Sequence, residues 1–495
     1  MINNMAIVGA GIAGIYAAIL SKTLRPDLNV VLIEQSDVIG GLLASKTFDG
    51  YEFDYGTHVP RMTGHEIVDS ILFGDLDKSQ WRQFQNINAG NVSLNKVLYT
   101  RSANPYLGKY SNPDFGEHLA KLFDAIDTQK VPYTNLQEQL EGEFGKGFVR
   151  SFFAPSISKK LGAQLKDLAP DTHKLLGLAR IIVGESETMK VLKSHPRLDD
   201  VLAYADQTDG MSDLINMYPS NGRGIGLWLE QLEAKMRELG VIIKTNCQLT
   251  ELMRDGRDVH HIWLSDGSEY AIDHLCWCSP AFALIRAAQI PFESQYKPSI
   301  RQTKLYHFAF KQPLEVDNNY IDVNDPSFNC FRVTLYPNLG AHKHGPYKLT
   351  VEVMEPENCE CSVSEECILQ ELIKMGVVSD NNECLYSNQD LVKAGFPVIT
   401  PEFKNEVARQ QSIIHQQLGN VSTLGKASGK YFFMQEVLIA AHTEVSELFS
   451  SKANESMVDT LRDKKPAVTL GNNLSNKSNN KTNNESNKVR SKAQH

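Results

Sequence analysis

The sequence predicts an α/β protein that combines a Rossmann-type dinucleotide-binding domain with a helical insertion and an antiparallel β-sheet substrate domain. Three patterns predict this fold: an apolar strand, glycine-rich turn and helix at the N-terminus, helical periodicity over residues 115–190, and alternating strands over residues 300–355. The 495 residues are 42% hydrophobic and 22% charged, so the chain can bury a sizeable core shared by two or three structural units.

Charge, hydropathy and cysteine spacing exclude several classes of protein. The net charge of −9 offers no basic surface to nucleic acid or to an anionic membrane. No apolar run reaches the roughly 18 residues that cross a bilayer, and no basic segment precedes the apolar N-terminus. The C-x-C-x5-C spacing at 359–367 is not a usual zinc pattern. We therefore expect a cytoplasmic protein with free thiols, no metal, no nucleic acid and no integral membrane segment.

The first element is the strand, turn and helix of "MAIVGAGIAGIYAAIL", residues 5–20. Its glycines Gly9, Gly11 and Gly14 follow the G-x-G-x-x-G pattern. The first glycine allows the tight turn, the second lets the backbone approach a pyrophosphate, and the third lets the helix pack closely on the strand. The helix N-terminus then favours the phosphates electrostatically. The pattern predicts a dinucleotide site, and the alternative is a helical hairpin that binds nothing.

The second strand, "LNVVLIEQ", ends in an acidic residue at the offset that a dinucleotide requires. Glu34 lies twenty residues after Gly14, where a carboxylate binds a ribose hydroxyl. A strand before the glycines, a helix after them and an acid at this distance are together far more specific than the glycine motif alone.

The segments that follow Glu34 carry a family resemblance. "EQSDVIGGLLAS" places the pair Gly40-Gly41 after the acid, and "DGYEFDYGTHVP" contains Tyr55-Gly56-Thr57-His58. These segments resemble the FAD-dependent amine oxidase and protoporphyrinogen oxidase superfamily, and they are most similar to UDP-galactopyranose mutase-like proteins. The resemblance implies FAD as cofactor and a flavin contact for His58; the alternative for His58 is a structural histidine.

The predicted insertion also resembles the mutases. "FGKGFVRSFFAPSISKKLG", residues 144–162, is similar to the mutase segment F-G-K-G followed by F-F-A-P. The sequence departs from that pattern at Lys160-Leu161-Gly162, where the mutases place a tryptophan against the nucleotide base. Arg180 resembles in position a mutase arginine that faces the sugar diphosphate, and its alternative is a position on a helix surface.

The substrate domain and the end of the chain complete the resemblance. Phe331-Arg332-Val333-Thr334 is similar to the mutase segment F-Y-R-x-T, whose arginine reaches the substrate phosphates. A charged side chain that alternates within an apolar strand needs a partner or a cavity; the alternative is an edge strand facing water. Gly425 and the helix opening at Met434 resemble the closing motif, in which a positive helix end faces the flavin.

The resemblance implies a specific set of site residues. Those implied to contact substrate or take part in the reaction are His58, Arg332 and Arg180. Those implied to bind FAD are Gly9, Gly11, Ala13, Gly14, Glu34, Gln35, Gly40, Gly41, Leu42, Tyr55, Gly56, Thr57, His58, Leu249, Gly425, Met434, Gln435, Glu436 and Val437.

The predicted domain boundaries follow the same segments. We expect a discontinuous FAD-binding domain of residues 1–95, 218–290 and 395–455, a helical insertion of residues 96–217, and an antiparallel substrate domain of residues 291–394. The Asn/Ser/Lys-rich residues 456–495 have little to bury and are expected to be disordered.

The function that the resemblance implies is nucleotide-sugar ring isomerisation, acting through N5 of reduced FAD in cell-surface polysaccharide synthesis. Such an enzyme would take a small-molecule nucleotide sugar as substrate and NAD(P)H or another reductant as electron source. One alternative is an FAD-dependent oxidoreductase of the amine oxidase, protoporphyrinogen oxidase or desaturase type. Another is a flavin-bound structural protein without turnover.

Overall fold

The structure is a computed structural model that describes residues 2–449 except 109–113, 128–131, 206–213, 343, 358 and 360–362. The predicted disordered tail therefore lies outside the described residues. Elements are numbered in chain order. No helix in the described ranges combines the length and apolarity needed to traverse a bilayer.

A five-stranded parallel sheet forms the centre of the dinucleotide-binding domain. Its strands lie in the order β19-β13-β1-β2-β9 and are β1 (Asn4–Val8), β2 (Asn29–Ile33), β9 (Ile242–Lys244), β13 (His274–Trp277) and β19 (Val421–Thr423). Strand β1 pairs in parallel with both β2 and β13, and four of its five residues are buried. This burial on both faces explains why "MAIV" is continuously apolar.

Helices and small sheets surround this sheet. The helices are α1 (Ile12–Leu24), α2 (Glu66–Phe73), α9 (Gly226–Glu238), α10 (Ala281–Ala287), α13 (Pro401–Gln417) and α14 (Met434–Leu448). The small sheets comprise β3 (Ser45–Phe48) with β4 (Tyr51–Asp54), β5 (Trp81–Phe84) with β8 (Asn216–Pro219), and β10 (Leu249–Asp255), β11 (Asp258–Leu264) and β12 (Glu269–Ala271). Helix α1 is almost wholly buried and packs on α14, so the N-terminal and C-terminal segments share one core.

A seven-stranded sheet forms the second layer, in the order β18-β14-β17-β16-β15-β6-β7. Its strands are β6 (Ala89–Val92), β7 (Leu98–Tyr99), β14 (Ile300–Phe310), β15 (Tyr320–Val323), β16 (Arg332–Leu335), β17 (Tyr347–Pro356) and β18 (Cys384–Pro397). Two short helices accompany it, α11 (Tyr336–Gly340) and α12 (Glu365–Lys374). The pairing is antiparallel except between β15 and β6. The predicted strands over 300–355 are therefore present.

The strand pairing crosses the predicted domain boundaries at two places in this sheet. Residues 89–92 pair with β15, although the sequence placed residues 1–95 with the FAD-binding domain. Strand β18 continues to Pro397, past the expected end of the substrate domain at residue 394. Both segments are short or irregular in sequence, and their partners lie far away in the chain, so no local pattern indicates the pairing.

The helical insertion contains α3 (Phe115–Asp127), α4 (Leu136–Phe148), α5 (Ala154–Leu161), α6 (Thr172–Leu175), α7 (Ser186–Leu192) and α8 (Pro196–Val201). Phe144, Phe148 and Phe152 recur at four-residue intervals and are fully buried in its core. A π-helical turn, Val149–Phe153, joins α4 to α5. Helix α5 packs against β17, so the middle of the insertion adjoins the seven-stranded sheet.

One buried carboxylate joins the layers. Asp54, at the end of β4, accepts hydrogen bonds from Ser45 Oγ (2.7 Å), Ile225 N (2.8 Å) and Tyr218 OH (2.5 Å). Its own amide donates to Tyr336 OH at 3.1 Å. Asp54 therefore connects the β3-β4 hairpin to the start of α9, to β8 and to the second sheet.

Replacing Asp54 with asparagine should change how stability depends on pH. Burial raises the pKa of Asp54 to about 6, even though three donors favour its charged form. Because the folded protein holds this proton more tightly than the unfolded chain, the wild type should lose stability relative to Asp54→Asn as pH rises from about 4 to 6, by at most about 3 kcal/mol. Thermal unfolding midpoints of both proteins across this range test the prediction. Unfolding midpoints that change with pH in the same way in both proteins would contradict it.

Candidate dinucleotide-binding and active site

The turn between β1 and α1 has the geometry of a phosphate cradle. Gly9 has φ of 99° and donates its amide to the Ile33 carbonyl at 2.8 Å. Helix α1 begins directly after Gly11, with no side-chain cap and no acidic residue in its first turn. Its first amides are thus available to an anion, and the helix dipole favours negative charge there.

Gly11 and Gly14 differ in the space that surrounds them. A Cβ on Gly14 would lie 2.1 Å from the Gly9 carbonyl oxygen, so this glycine is required by helix packing. A Cβ on Gly11 would meet no atom within 4 Å, and its φ of −71° suits any residue. Protein packing therefore gives no reason for glycine at position 11, whereas close approach of a pyrophosphate to the backbone does. The turn fits the dinucleotide moiety of FAD.

Glu34 lies above this turn, as its position at the end of β2 predicts. Its two carboxylate oxygens accept hydrogen bonds from Ala10 N at 2.8 Å and Ser36 N at 2.9 Å. These amides fix the carboxylate beside the glycine turn, and each oxygen keeps acceptor capacity for a ribose hydroxyl. Gln35 is exposed beside it. Cys247 N donates to the Glu34 carbonyl at 2.9 Å, and Leu249 lies two residues after Cys247.

The paired glycines close over the same turn. Gly40 donates its amide to the Ala10 carbonyl at 2.7 Å and forms a bridge with Gly11. With φ of 106° and a Cβ position 2.0 Å from a methyl carbon of Leu229, it tolerates no side chain. Gly41 follows at φ of 58°, and Leu42 is 37% exposed at the rim.

The C-terminal segment reaches this cradle from the other side. Gly425 packs on Ala13, with a Cβ position 3.0 Å from the Ala13 Cβ, and has φ of 61°. At the start of α14, Gln435 Nε2 donates to the Thr63 carbonyl at 2.8 Å. The Glu436 carboxylate accepts the Phe433 amide at 3.3 Å, so an acid partly offsets the positive end of α14.

Two more residues of the predicted set, Met434 and Val437, pack into the core beneath α14. The amine of Lys426, next to Gly425, lies 5.0 Å from the ring centroid of Phe432.

The segment after β4 lies against the seven-stranded sheet. Gly56 has φ of 95°, and a Cβ there would lie 2.5 Å from the carboxyl carbon of Glu352. Thr57 donates its amide to Glu352 Oε1 at 3.1 Å and its hydroxyl contacts that of Thr334. Tyr55 lies under the amine of Lys46, 5.2 Å from the ring centroid. Glu352 therefore positions the Tyr55–His58 segment.

His58 is a neutral imidazole at neutral pH. Burial and the positive charges of Arg332 and Lys426 lower its pKa to about 4. Its Nδ1 has no hydrogen-bond partner among the described residues. A buried ring nitrogen without a partner can bind a group that is not part of the protein. Arg332 and Lys426 thus both lie within electrostatic range of the His58 ring.

Arg332, on strand β16 of the seven-stranded sheet, lies between two carboxylates. Its Nε donates to Asp322 Oδ1 at 2.9 Å, and Glu352 is its cross-strand partner on β17. Burial disfavours its charge, but Asp322 and Glu352 outweigh that effect and raise its pKa. Burial raises the pKa of Glu352, partly opposed by Arg332 and by the Thr57 amide. The Arg332 side chain is 28% exposed, whereas Asp322 is 9% exposed.

The polar and apolar faces of this sheet explain why such groups are buried there. One face of β15, β16 and β17 packs into an apolar core that includes Ile321, Val333 and Val351. In register on the opposite face lie Tyr320, Asp322, Arg332, Thr334, Thr350 and Glu352. We call these six residues the polar face. A polar ligand beside the Tyr55–His58 segment would meet this face.

Arg180 is placed apart from this group. Its Nε donates to the Asp199 carbonyl at 3.2 Å, within the insertion. No contact between Arg180 and His58 or Arg332 occurs in the described part of the chain. Sequence reasoning missed Asp322 and Glu352, although "YIDV" and "LTVEVME" show the same signal as Arg332, a charge alternating with apolar residues.

Comparisons with known proteins agree with this architecture. The model of the NAD(P)-binding Rossmann-like domain family matches residues 7–69. A solved structure of reduced UDP-galactopyranose mutase matches with a TM-score of 0.70 and 16% identity, covering 94% of this chain and 97% of that one. At this identity the likeness shows the fold.

Two curated relatives match over shorter ranges. Coproporphyrinogen III oxidase of Staphylococcus aureus is 22% identical over 57% of this chain. A 4,4'-diapolycopene oxygenase of a Methylomonas species is 26% identical over 51% of this chain. The matched part spans 61% and 51% of those relatives' own lengths.

A methyl group at Gly11 should weaken cofactor binding without weakening the fold. Because Gly11→Ala adds a Cβ that meets no protein atom, the thermal midpoint of the cofactor-free protein should be unchanged. The same methyl would enter the space of the pyrophosphate, where overpacking costs about 1–3 kcal/mol, or about 5- to 150-fold in the Kd for FAD.

Gly116→Ala is the matched control, because a Cβ there also meets no atom within 4 Å, in α3 of the insertion. Titration of cofactor-free protein with FAD measures both variants. Equal affinity of Gly11→Ala and wild type would mean that FAD does not approach this turn.

Proposed function

We propose that this chain, which has the fold of the FAD-dependent amine oxidase superfamily, is an FAD-dependent enzyme whose substrate is a polar, anionic small molecule. The specific reaction we propose is ring isomerisation of a nucleotide sugar, of the UDP-galactopyranose mutase type. A cytoplasmic enzyme of this type would supply cell-surface polysaccharide synthesis, with NAD(P)H or another reductant keeping the cofactor reduced.

The observation that carries the proposal is the placement of Arg332. Its guanidinium is bonded through Nε to Asp322, which leaves two terminal nitrogens for a ligand. It lies close to His58, on a sheet face made of hydroxyls and carboxylates. Arginine in this arrangement suits two oxygens of a phosphate, and hydroxyls and carboxylates suit a sugar. A polyene, which has no charged group, would instead favour an apolar face.

The cofactor would be held by residues described above. The amides at the start of α1 and the Gly40-Gly41 loop suit its pyrophosphate, Glu34 suits its ribose, and the Tyr55–His58 segment would adjoin its ring system. When bound, FAD supplies the electron-transfer and nucleophilic chemistry of the reaction. The side chains then have three tasks: Arg332 binds and orients the anion, neutral His58 offers an uncharged hydrogen-bonding nitrogen, and Glu352 holds the segment that carries His58.

An FAD-dependent oxidoreductase is the second candidate. Two observations favour it: the curated relatives are an oxidase and an oxygenase by name, and buried Lys160 stands where the mutases have a base-stacking tryptophan. Under this alternative Arg332 would bind a carboxylate or phosphate of a molecule that is oxidised.

Reduced holoprotein should interconvert the ring forms of a UDP-hexose, and Arg332→Lys should lower kcat/KM about 100-fold. Lysine keeps the charge but loses the paired donors of the guanidinium, and loss of a charged hydrogen bond of this kind costs about 2–3 kcal/mol. Chromatography of the products by ring size after incubation with a panel of UDP-hexoses measures the reaction.

Arg25→Lys is the matched control, since Arg25 Nε also donates to an aspartate oxygen, Asp27 Oδ1, at 2.9 Å, but on the surface. The mutase proposal fails if no UDP-hexose binds or converts while an amine or porphyrinogen reduces the oxidised flavin.

A further inference from the structure

Two adjacent lysines, Lys159 and Lys160, lie in the last turn of helix α5, and only one of them has its hydrogen bonds satisfied. The amine of Lys159 donates to the carbonyls of Val323 (3.0 Å), Asp325 (2.9 Å) and Cys330 (2.7 Å). An ammonium has three donors, so Lys159 is fully engaged in joining the insertion to the sheet. Its role is structural.

Lys160 is different. Its side chain is 1% exposed, and its amine donates to Asn324 Oδ1 at 2.6 Å. This oxygen is the one acceptor that the described residues provide for its three donors. Asn324 is also 1% exposed, and its Nδ2 has no partner within the described ranges. A buried ammonium with one acceptor is unfavourable unless nearby charge compensates for it.

The compensating charge lies on the polar face. Asp322 and Glu352 attract the Lys160 ammonium, whereas Arg332 and Lys159 repel it, and burial together with these charges lowers its pKa to about 7. The Arg301 guanidinium also reaches this helix, since its Nε donates to the Lys160 carbonyl at 3.1 Å. Asn324, which accepts the Lys160 bond, lies two residues after Asp322 and so on the same side of the chain. Asp322 therefore has two cationic neighbours, Arg332 through a direct bond and Lys160 through space.

We infer that Lys160 is a specificity-determining residue that neutralises Asp322, so that the free nitrogens of Arg332 bind an anion of the phosphate class. The inference rests on the anion site proposed above. Among the four groups Lys160, Arg332, Asp322 and Glu352, a protonated Lys160 makes the sum of charges zero. Loss of that proton leaves these four groups with one net negative charge and weakens the attraction for an anion.

Sulfate is the probe of choice, because its charge is constant between about pH 6 and 8 and it has the shape of a phosphate. Calorimetric titration of wild-type holoprotein should give a sulfate Kd about tenfold weaker at pH 8 than at pH 6. His58 stays neutral over this range, so it does not contribute. Lys160→Met should bind sulfate weakly at both pH values, and Lys160→Arg should bind it tightly at both.

Lys159→Met is the matched control at the neighbouring lysine. It should lower thermal stability and, because Lys159 repels the Lys160 ammonium, move the pH dependence of sulfate binding to higher pH without abolishing it. The inference is overturned if Lys160→Met retains the wild-type pH effect, or if Lys160→Arg behaves as the wild type does.

The outcome is separable from that of the proposed function. Sulfate binding with the predicted pH pattern and no conversion of any UDP-hexose would refute the mutase reaction and support the role of Lys160. Conversion of a UDP-hexose, together with sulfate binding in Lys160→Met that equals that of the wild type, would support the mutase reaction and refute the role of Lys160.

Discussion

The buried carboxylate of Asp54 is the interaction on which the candidate site depends. It accepts bonds from the hairpin, from β8 and from the start of α9, and its amide donates to Tyr336, the residue that directly follows β16 of the second sheet. The residues that follow it, Tyr55–His58, therefore leave β4 at a fixed position. Because the amide of Thr57 then bonds to Glu352, the dinucleotide-binding domain and the polar face meet through a few directed hydrogen bonds.

Charge balance is the second constraint on this region. Arg332 lies between Asp322 and Glu352, so a partly exposed cation is matched by two acids, and a protonated Lys160 makes the sum of these four charges zero. Each of these groups would be costly alone in a protein interior. Together they form a polar surface whose charge changes by one unit with a single proton, next to a neutral histidine. Such a surface suits an anionic, hydroxylated substrate better than an apolar one.

The parts of the site that the sequence could predict are those encoded in short, contiguous patterns. Gly9, Gly11, Gly14 and Glu34 fall at fixed spacings along one β-α-β unit, so their geometry follows from local rules. Arg332 was predicted from a charge within an apolar strand. Asp322, Glu352 and Lys160 join it only through the register of three strands and one inserted helix, which separate them by up to 192 positions in the chain. Arg180 resembled a site residue by position, yet its guanidinium bonds within the insertion.

A crystal structure of the reduced, FAD-loaded protein with bound UDP would test this arrangement of the site. We expect the FAD pyrophosphate at the first amides of α1, its ribose at Glu34, and the UDP phosphates on the terminal nitrogens of Arg332, with Asp322 still bonded to Nε. A structure in which Arg332 keeps both carboxylates as its only partners, with UDP bound elsewhere or not at all, would contradict it.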